Sequence, residues 1–268
     1  MEEKLLKEHA SSIRRKIITM IYTAQSGHPG GSLSAADILT YLYFNEMNIT
    51  KENVASTNRD RFVLSKGHAS PALYAVLEEK GLIDEDLNTF RKLGSHLQGH
   101  PSMQKLAGVD MSTGSLGQGI STAVGMAIAN KLDKNDNRVY VLMGDGEAEE
   151  GMVYEALMAA THYKLDNLCI FLDFNHLQID GNIEDVINNV KFREKFEAFG
   201  LNVLEIDGHD FTQIGEALAA ARQCKGKPTM IIANTIKGKG VSFMENDYTW
   251  HGSAPNKEQY EKAMEDLK

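Results

Sequence analysis

The stretch from Gly144 to Gly181, GDGEAEEGMVYEALMAATHYKLDNLCIFLDFNHLQIDG, constrains the fold more than any other part of the chain. It follows an apolar run, Val139 to Met143, whose length and composition predict a buried strand. Gly144-Asp145-Gly146 breaks that strand at a tight turn. From Glu149 to Tyr163 the apolar spacing is helical, with Met152, Val153, Ala156, Leu157 and Ala160 along one face. Leu168 to Leu172 reads as a second buried strand, and Asn175 sits just past its end. Right-handed crossover in such a β-α-β unit brings Asp145 and Asn175 to one carboxyl edge of a parallel sheet.

That edge points to a metal and a diphosphate. A carboxylate and an amide oxygen are hard ligands suited to Mg²⁺ or Ca²⁺. Mg²⁺ is commonly held by a few protein oxygens plus the phosphates of its ligand. The turn after Asp145 also leads into a predicted helix N-terminus, which favours an anion. Either residue alone would only cap a turn; the pair at adjacent strand ends carries the reading.

The rest of the chain repeats the alternation. Glu3 to Gln25 has the apolar stripe of a long amphipathic helix, with Leu5, Leu6, Ile13, Ile17, Ile18 and Ile21. Ser26 to Gly31 ends it sharply, and Ser34 reads as the cap of a helix reaching about Asn45. A short strand is expected at Arg61 to Ser65, a helix reaching Lys80 after it, and another helix over Asp84 to Leu93. Ser95 to Gly119 is glycine-rich and aperiodic, and its apolar residues predict an ordered segment. A helix through Lys131 follows it. Beyond the central unit come a strand at Asn202 to Ile206, a helix at Phe211 to Gln223, a strand at Thr229 to Ala233 and a final charged helix after Pro255. The expected fold is α/β, a doubly wound parallel sheet of five strands flanked by helices, with residues 1–268 as a single domain.

Composition narrows the function. A net charge of −9 argues against nucleic acid as a partner, so an anionic ligand needs a local positive centre. The two cysteines, Cys169 and Cys224, have neither metal nor disulfide spacing. With no apolar signal core in MEEKLLKEHASSIRRK and no stretch of membrane-span length, the chain reads as cytoplasmic, without a membrane partner. His28, His68, His100 and His251, four of nine histidines, stand in glycine-flanked loops, and no pair has the short spacing of a zinc site. Gly114 to Gly119 is neither a Rossmann nor a P-loop pattern, though it leads into a helix that could hold phosphate.

GDG followed about thirty residues later by Asn resembles the thiamine diphosphate signature, and GDGEAEEG with the later NHLQIDG resembles its transketolase branch. SGHPGGSLS, LSKGHAS, QGHPS, STGSLGQG and WHGSAP look like successive transketolase motifs in the same order. Two positions depart from the family's habit: Phe174 where Asn or Asp is usual, and Ser115 where Pro is commoner.

The resemblance implies thiamine diphosphate and Mg²⁺ or Ca²⁺ as cofactors. Asp145, Asn175 and the backbone carbonyl of Leu177 would bind the metal. His68, Gly114, Ser115, Leu116, Gly144, Gly146, Glu147 and His251 would contact the cofactor, with Ile179 packed on its ring region. His28 and His100 would face the sugar hydroxyls and assist proton transfer. Glu150 would meet a glutamate of a partner subunit. The implied reaction is transfer of a two-carbon ketol group from a ketose phosphate to an aldose phosphate. The pyrimidine-binding and C-terminal domains of a transketolase are not recognisable here, which implies an N-terminal subunit paired with a C-terminal subunit, in an α2β2 assembly. Two alternatives remain at this point: a non-catalytic cofactor-binding module, and a chain of the 2-oxo acid dehydrogenase type.

Overall fold

Near-continuous apolar runs of four to seven residues become buried strands, because a parallel sheet covered on both faces has no polar side. The computed structural model describes residues 1–188 and 190–268. Its helices are α1 (Glu3–Ala24), α2 (Pro29–Ser34), α3 (Ala36–Tyr41), α4 (Ser70–Glu79), α5 (Gln118–Leu132), α6 (Gly151–His162), α7 (Ile183–Val186), α8 (Phe192–Ala198), α9 (Phe211–Gln223) and α10 (Lys257–Asp266). The strands are β1 (Arg61–Leu64), β2 (Val139–Gly144), β3 (Leu168–Phe174), β6 (Asn202–Asp207) and β7 (Thr229–Asn234), with a small hairpin of β4 (Leu177–Gln178) and β5 (Gly181–Asn182) outside the main sheet.

The main sheet is parallel, in the order β1-β2-β3-β7-β6. Alternate residues feed two cores. Tyr140, Leu142 and Phe171 face α1, α3, α4 and α9, while Val139, Val141, Ile170 and Leu172 face α5, α6 and α8. In α1, Ile13, Ile17, Ile18 and Ile21 are all 0% exposed; full burial of such a side chain contributes about 1.5–3 kcal/mol. The chain passes from β3 to the sheet edge at β6 and returns to β7 beside β3. This reversal of winding leaves a crevice beyond the carboxyl ends of β3 and β7, the usual place for a ligand in an open α/β sheet.

Four local expectations are corrected. Ser34 does not cap a helix: it closes α2, and its hydroxyl donates to Asp173 Oδ2 at 2.6 Å. The helix expected after it is α3 followed by a π turn at Leu42–Glu46. The helix expected over Asp84 to Leu93 is only a 3-10 turn at Leu87–Thr89, because buried Phe90 turns extended and Arg91 takes φ +59°. Met152 is 39% exposed rather than part of the buried face, lying about 100° around α6 from the stripe that starts at Val153.

Candidate active site

The parallel register sets Gly144 opposite Asp173, so the chain leaves β2 and β3 at the same level. Asp145 and Asn175 therefore line one cleft, with Leu177 and Ile179 on its wall. Asp145 is 3% exposed and Asn175 4%. Asp145 accepts from the Gly146 N–H at 2.9 Å and, through its other oxygen, from the His176 N–H at 2.7 Å. Asn175 Oδ1 accepts from the Leu177 N–H at 3.2 Å. Each of these oxygens keeps a lone pair for a cation. Among the described residues no three His, Cys, Asp or Glu side chains converge as a metal site. A metal here would draw its remaining ligands from a phosphate, in keeping with the habit of Mg²⁺.

The cleft holds two lysines that no motif singled out. Lys66 is 1% exposed and its Nζ donates to Asp173, which also accepts from Ser34 and Thr235. Burial alone would raise the Asp173 pKa; Lys66 and the hydrogen bonds overcome it and hold the carboxylate ionised. Lys237 is 2% exposed, and its Nζ donates to the Leu177 carbonyl at 2.9 Å and to His251 Nδ1 at 3.1 Å. That contact leaves the proton of a neutral His251 on Nε2. The stem of Lys237 passes over Gly30, where a Cβ would lie 2.9 Å from Lys237 Cγ, so the HPGG loop is open because a side chain must cross it.

Electrostatics favour a ligand that is both cation and anion. Burial, and then Asp173, push the Asp145 carboxyl well above the ordinary range, while burial lowers the Lys237 ammonium. Each charge lacks a direct counterion. A divalent cation beside Asp145 and a phosphate beside Lys66 and Lys237 would supply both, and the residues present fit a metal and a diphosphate.

The four loop histidines converge. The His28 ring lies 5.3 Å from His68, 5.4 Å from His251 and 6.5 Å from His100, centroid to centroid. Burial, then the Arg91 guanidinium and His100, lower His28 to about 4. Burial and Lys237 lower His251 to about 3, and burial holds His68 well below its ordinary value. All three are neutral at pH 7 and serve as hydrogen-bond donors and acceptors. His28 Nδ1 is buried without a partner among the described residues, an atom that a bound hydroxyl would satisfy.

Carboxylates stand at both helix N-termini expected to favour an anion. A 3-10 turn, Gly146–Glu149, separates Asp145 from α6 and adds carboxylates there. At the head of α5 the Gly117 N–H donates to Glu147 Oε1 at 2.9 Å. Glu147, which also lines the cleft, accepts in addition from Ser65 and from the Gly144 N–H, so its carboxylate ties three loops together. Gly114 stands against the His100 ring rather than in the cleft lining. Ser115 is exposed and bonded to Gln118 Nε2 at 3.0 Å. Leu116, Gly144, Gly146, Ile179 and Glu150 line the cleft, with Ile179 62% exposed and Glu150 on the open rim.

Residues 6–267 match the family described as transketolase, thiamine diphosphate binding domain. The chain is 43% identical over 268 residues to an apulose-4-phosphate transketolase subunit of Phocaeicola vulgatus, covering 100% of this chain and 95% of that protein. It is 43% identical to the 6-deoxy-6-sulfo-D-fructose transketolase subunit of a Clostridium species, covering 98% of this chain and 96% of that one. The crystal structure of transketolase from Campylobacter jejuni superposes with a TM-score of 0.93 at 39% identity. All of this chain is covered there, but only 43% of the Campylobacter chain.

Proposed function

This chain belongs to the transketolase family through its thiamine diphosphate binding domain, and from that premise we propose that it is the N-terminal subunit of a two-subunit transketolase. Family membership sets aside the 2-oxo acid dehydrogenase reading. The observation that carries the proposal is the meeting of Asp145, Asn175, two buried lysines and four loop histidines at one sheet edge. The cleft measures about 200 Å³, below the roughly 300–1,000 Å³ of a complete small-molecule site, and Glu150 and Ile179 lie on its open side.

Thiamine diphosphate, when bound, supplies the nucleophilic carbon at which the ketose C–C bond is broken and remade. Asp145 and Asn175, with the Leu177 carbonyl if it is shared with Lys237, would hold a divalent metal, Mg²⁺ or Ca²⁺, that offsets the charge of the diphosphate. Lys237, whose ammonium has no carboxylate bonded to it, would offset part of the charge that remains, with Lys66 beside it paired to Asp173. His251 offers Nε2–H, and His68 a neutral imidazole, to the cofactor. His28 and His100 hydrogen-bond the sugar hydroxyls and move their protons, with burial and then the nearby Arg91 guanidinium lowering the pKa of both rings. The partner is a C-terminal subunit that covers the open rim, meets Glu150 and brings the pyrimidine-binding and C-terminal domains. The assembly is α2β2, and the substrates are a ketose phosphate and an aldose phosphate.

The test is a transketolase assay on the purified chain with thiamine diphosphate and Mg²⁺, before and after addition of the partner subunit. Turnover only in the mixture is expected. Full turnover by the chain alone refutes the two-subunit reading, and none in either condition refutes the activity.

A further inference from the structure

Lys237 reaches the cleft on a loop of turns that follows β7. The loop is sharply bent: Gly238 has φ +81°, and a Cβ there would lie 2.2 Å from the Met244 carbonyl oxygen. What holds it lies behind the cleft. The Ile236 N–H donates to His209 Nε2 at 2.9 Å, which makes Nε2 the acceptor and puts the ring proton on Nδ1. Nδ1 donates in turn to Asp37 Oδ2 at 2.7 Å. Asp37 receives both terminal nitrogens of Arg14, at 2.9 and 2.6 Å. Arg14 Nε then donates to the Lys239 carbonyl at 3.1 Å.

These contacts close a ring. The loop is gripped at the peptide just before Lys237 and again two residues after it, by side chains only 7–12% exposed. Helices α1 and α3 need no contact with those two peptide groups to pack on each other; the ring ends there all the same. All three side chains lie outside the cleft lining, whereas Lys237 lies in it. Both bonds made by Lys237 Nζ, to Leu177 and to His251, depend on where the loop sits. Misplacement by about 1 Å is enough to cost a binding or catalytic group much of its effect.

We propose that His209, Asp37 and Arg14 are positioning residues for Lys237, and through it for the diphosphate of the cofactor. This rests on the reading of the cleft as the thiamine diphosphate site.

The test is a double-mutant cycle on the full chain assembled with its partner subunit. Binding of thiamine diphosphate with Mg²⁺ is measured by calorimetry and thermal stability is measured in parallel. His209→Leu is expected to weaken cofactor binding about tenfold, at the lower end of what outer-shell substitutions cost. His209→Gln, which keeps an acceptor near the Nε2 position, is expected to restore most of that loss. In a Lys237→Met background, His209→Leu is expected to add no further loss. An equal loss in both backgrounds, or none in the first, overturns the proposal even where His209→Leu lowers thermal stability. If His209→Leu does not fold, Arg14→Met enters the same cycle and decides in the same way. Absence of cofactor binding by the unmutated assembly would overturn the reading of the cleft, and the proposal with it.

Discussion

Asp145 is the residue on which the cleft depends most. Its carboxylate is buried, carries two backbone hydrogen bonds and has no direct cationic partner. In the assembled enzyme, Asp145→Ala should abolish Mg²⁺-dependent binding of thiamine diphosphate, because the diphosphate loses its charge bridge; calorimetry with and without Mg²⁺ measures this. His28 and His100 are expected to behave differently. Alanine at either should lower turnover by on the order of 10²–10⁴ while cofactor affinity is retained, a contrast that separates sugar-facing groups from cofactor-facing ones. His28, lowered to about 4, should also show no imidazole titration by NMR between pH 8 and pH 5. A midpoint near the ordinary histidine value would contradict its buried, cation-flanked setting. The metal pair and the histidines were legible in the sequence because glycines and strand ends flag them. Lys66, Lys237, Asp173 and Arg91 were not. A lysine in a turn reads as solvated, and only the fold reveals that Lys66 is 1% and Lys237 2% exposed. Phe174 was legible only as a departure; its ring lies tilted with its centroid 3.9 Å from that of His176, whose backbone N–H donates to Asp145.

Among the elements, the interior strands and α9 were readable to within two residues, since continuous apolar runs and clean helical periodicity carry that information locally. The failures lie where a tertiary partner decides. Ser34 looks like a cap until Asp173 is placed beside it, and nothing local foretells that Glu147 takes the Gly117 N–H at the entry to α5. The packing of α1 against α3 has a measurable acid signature. Burial would raise the Asp37 carboxyl, but Arg14 and His209 bring it down to about 2 from an ordinary 3.8. A carboxyl lowered on folding stabilises the native state above its unfolded pKa, and that stability is lost as pH falls through the folded one. The contribution, on the order of 2 kcal/mol, should therefore disappear between about pH 4 and pH 2. Urea denaturation of the native chain and of Asp37→Asn should give a stability gap that is largest near neutrality and shrinks across that window. A gap independent of pH would mean that the carboxylate is not held by Arg14.

At the scale of the whole molecule, an acidic chain places two buried lysines, Lys66 and Lys237, among the carboxylates of its cleft. The positive charge offered to an anion there comes from buried lysines rather than from the surface of a chain whose net charge is −9. Cofactor binding should accordingly respond little to moderate salt, since buried pairs are screened far less than exposed ones. A steep fall in affinity between about 50 and 200 mM NaCl would point to surface charge instead. The strand order has its own consequence for how the chain is made. In the finished sheet β3 pairs with β7, Cys169 opposite Thr229. While the polypeptide emerges from the ribosome N-terminus first, β3 has its β2 neighbour but not yet its β7 neighbour. One edge of its backbone stays unpaired until β7 itself has been synthesised. Nascent chains stalled before β7 would expose that apolar edge to aggregation and to chaperones. The cleft would then be completed late in translation, when Lys237 swings in behind the strand that seals it.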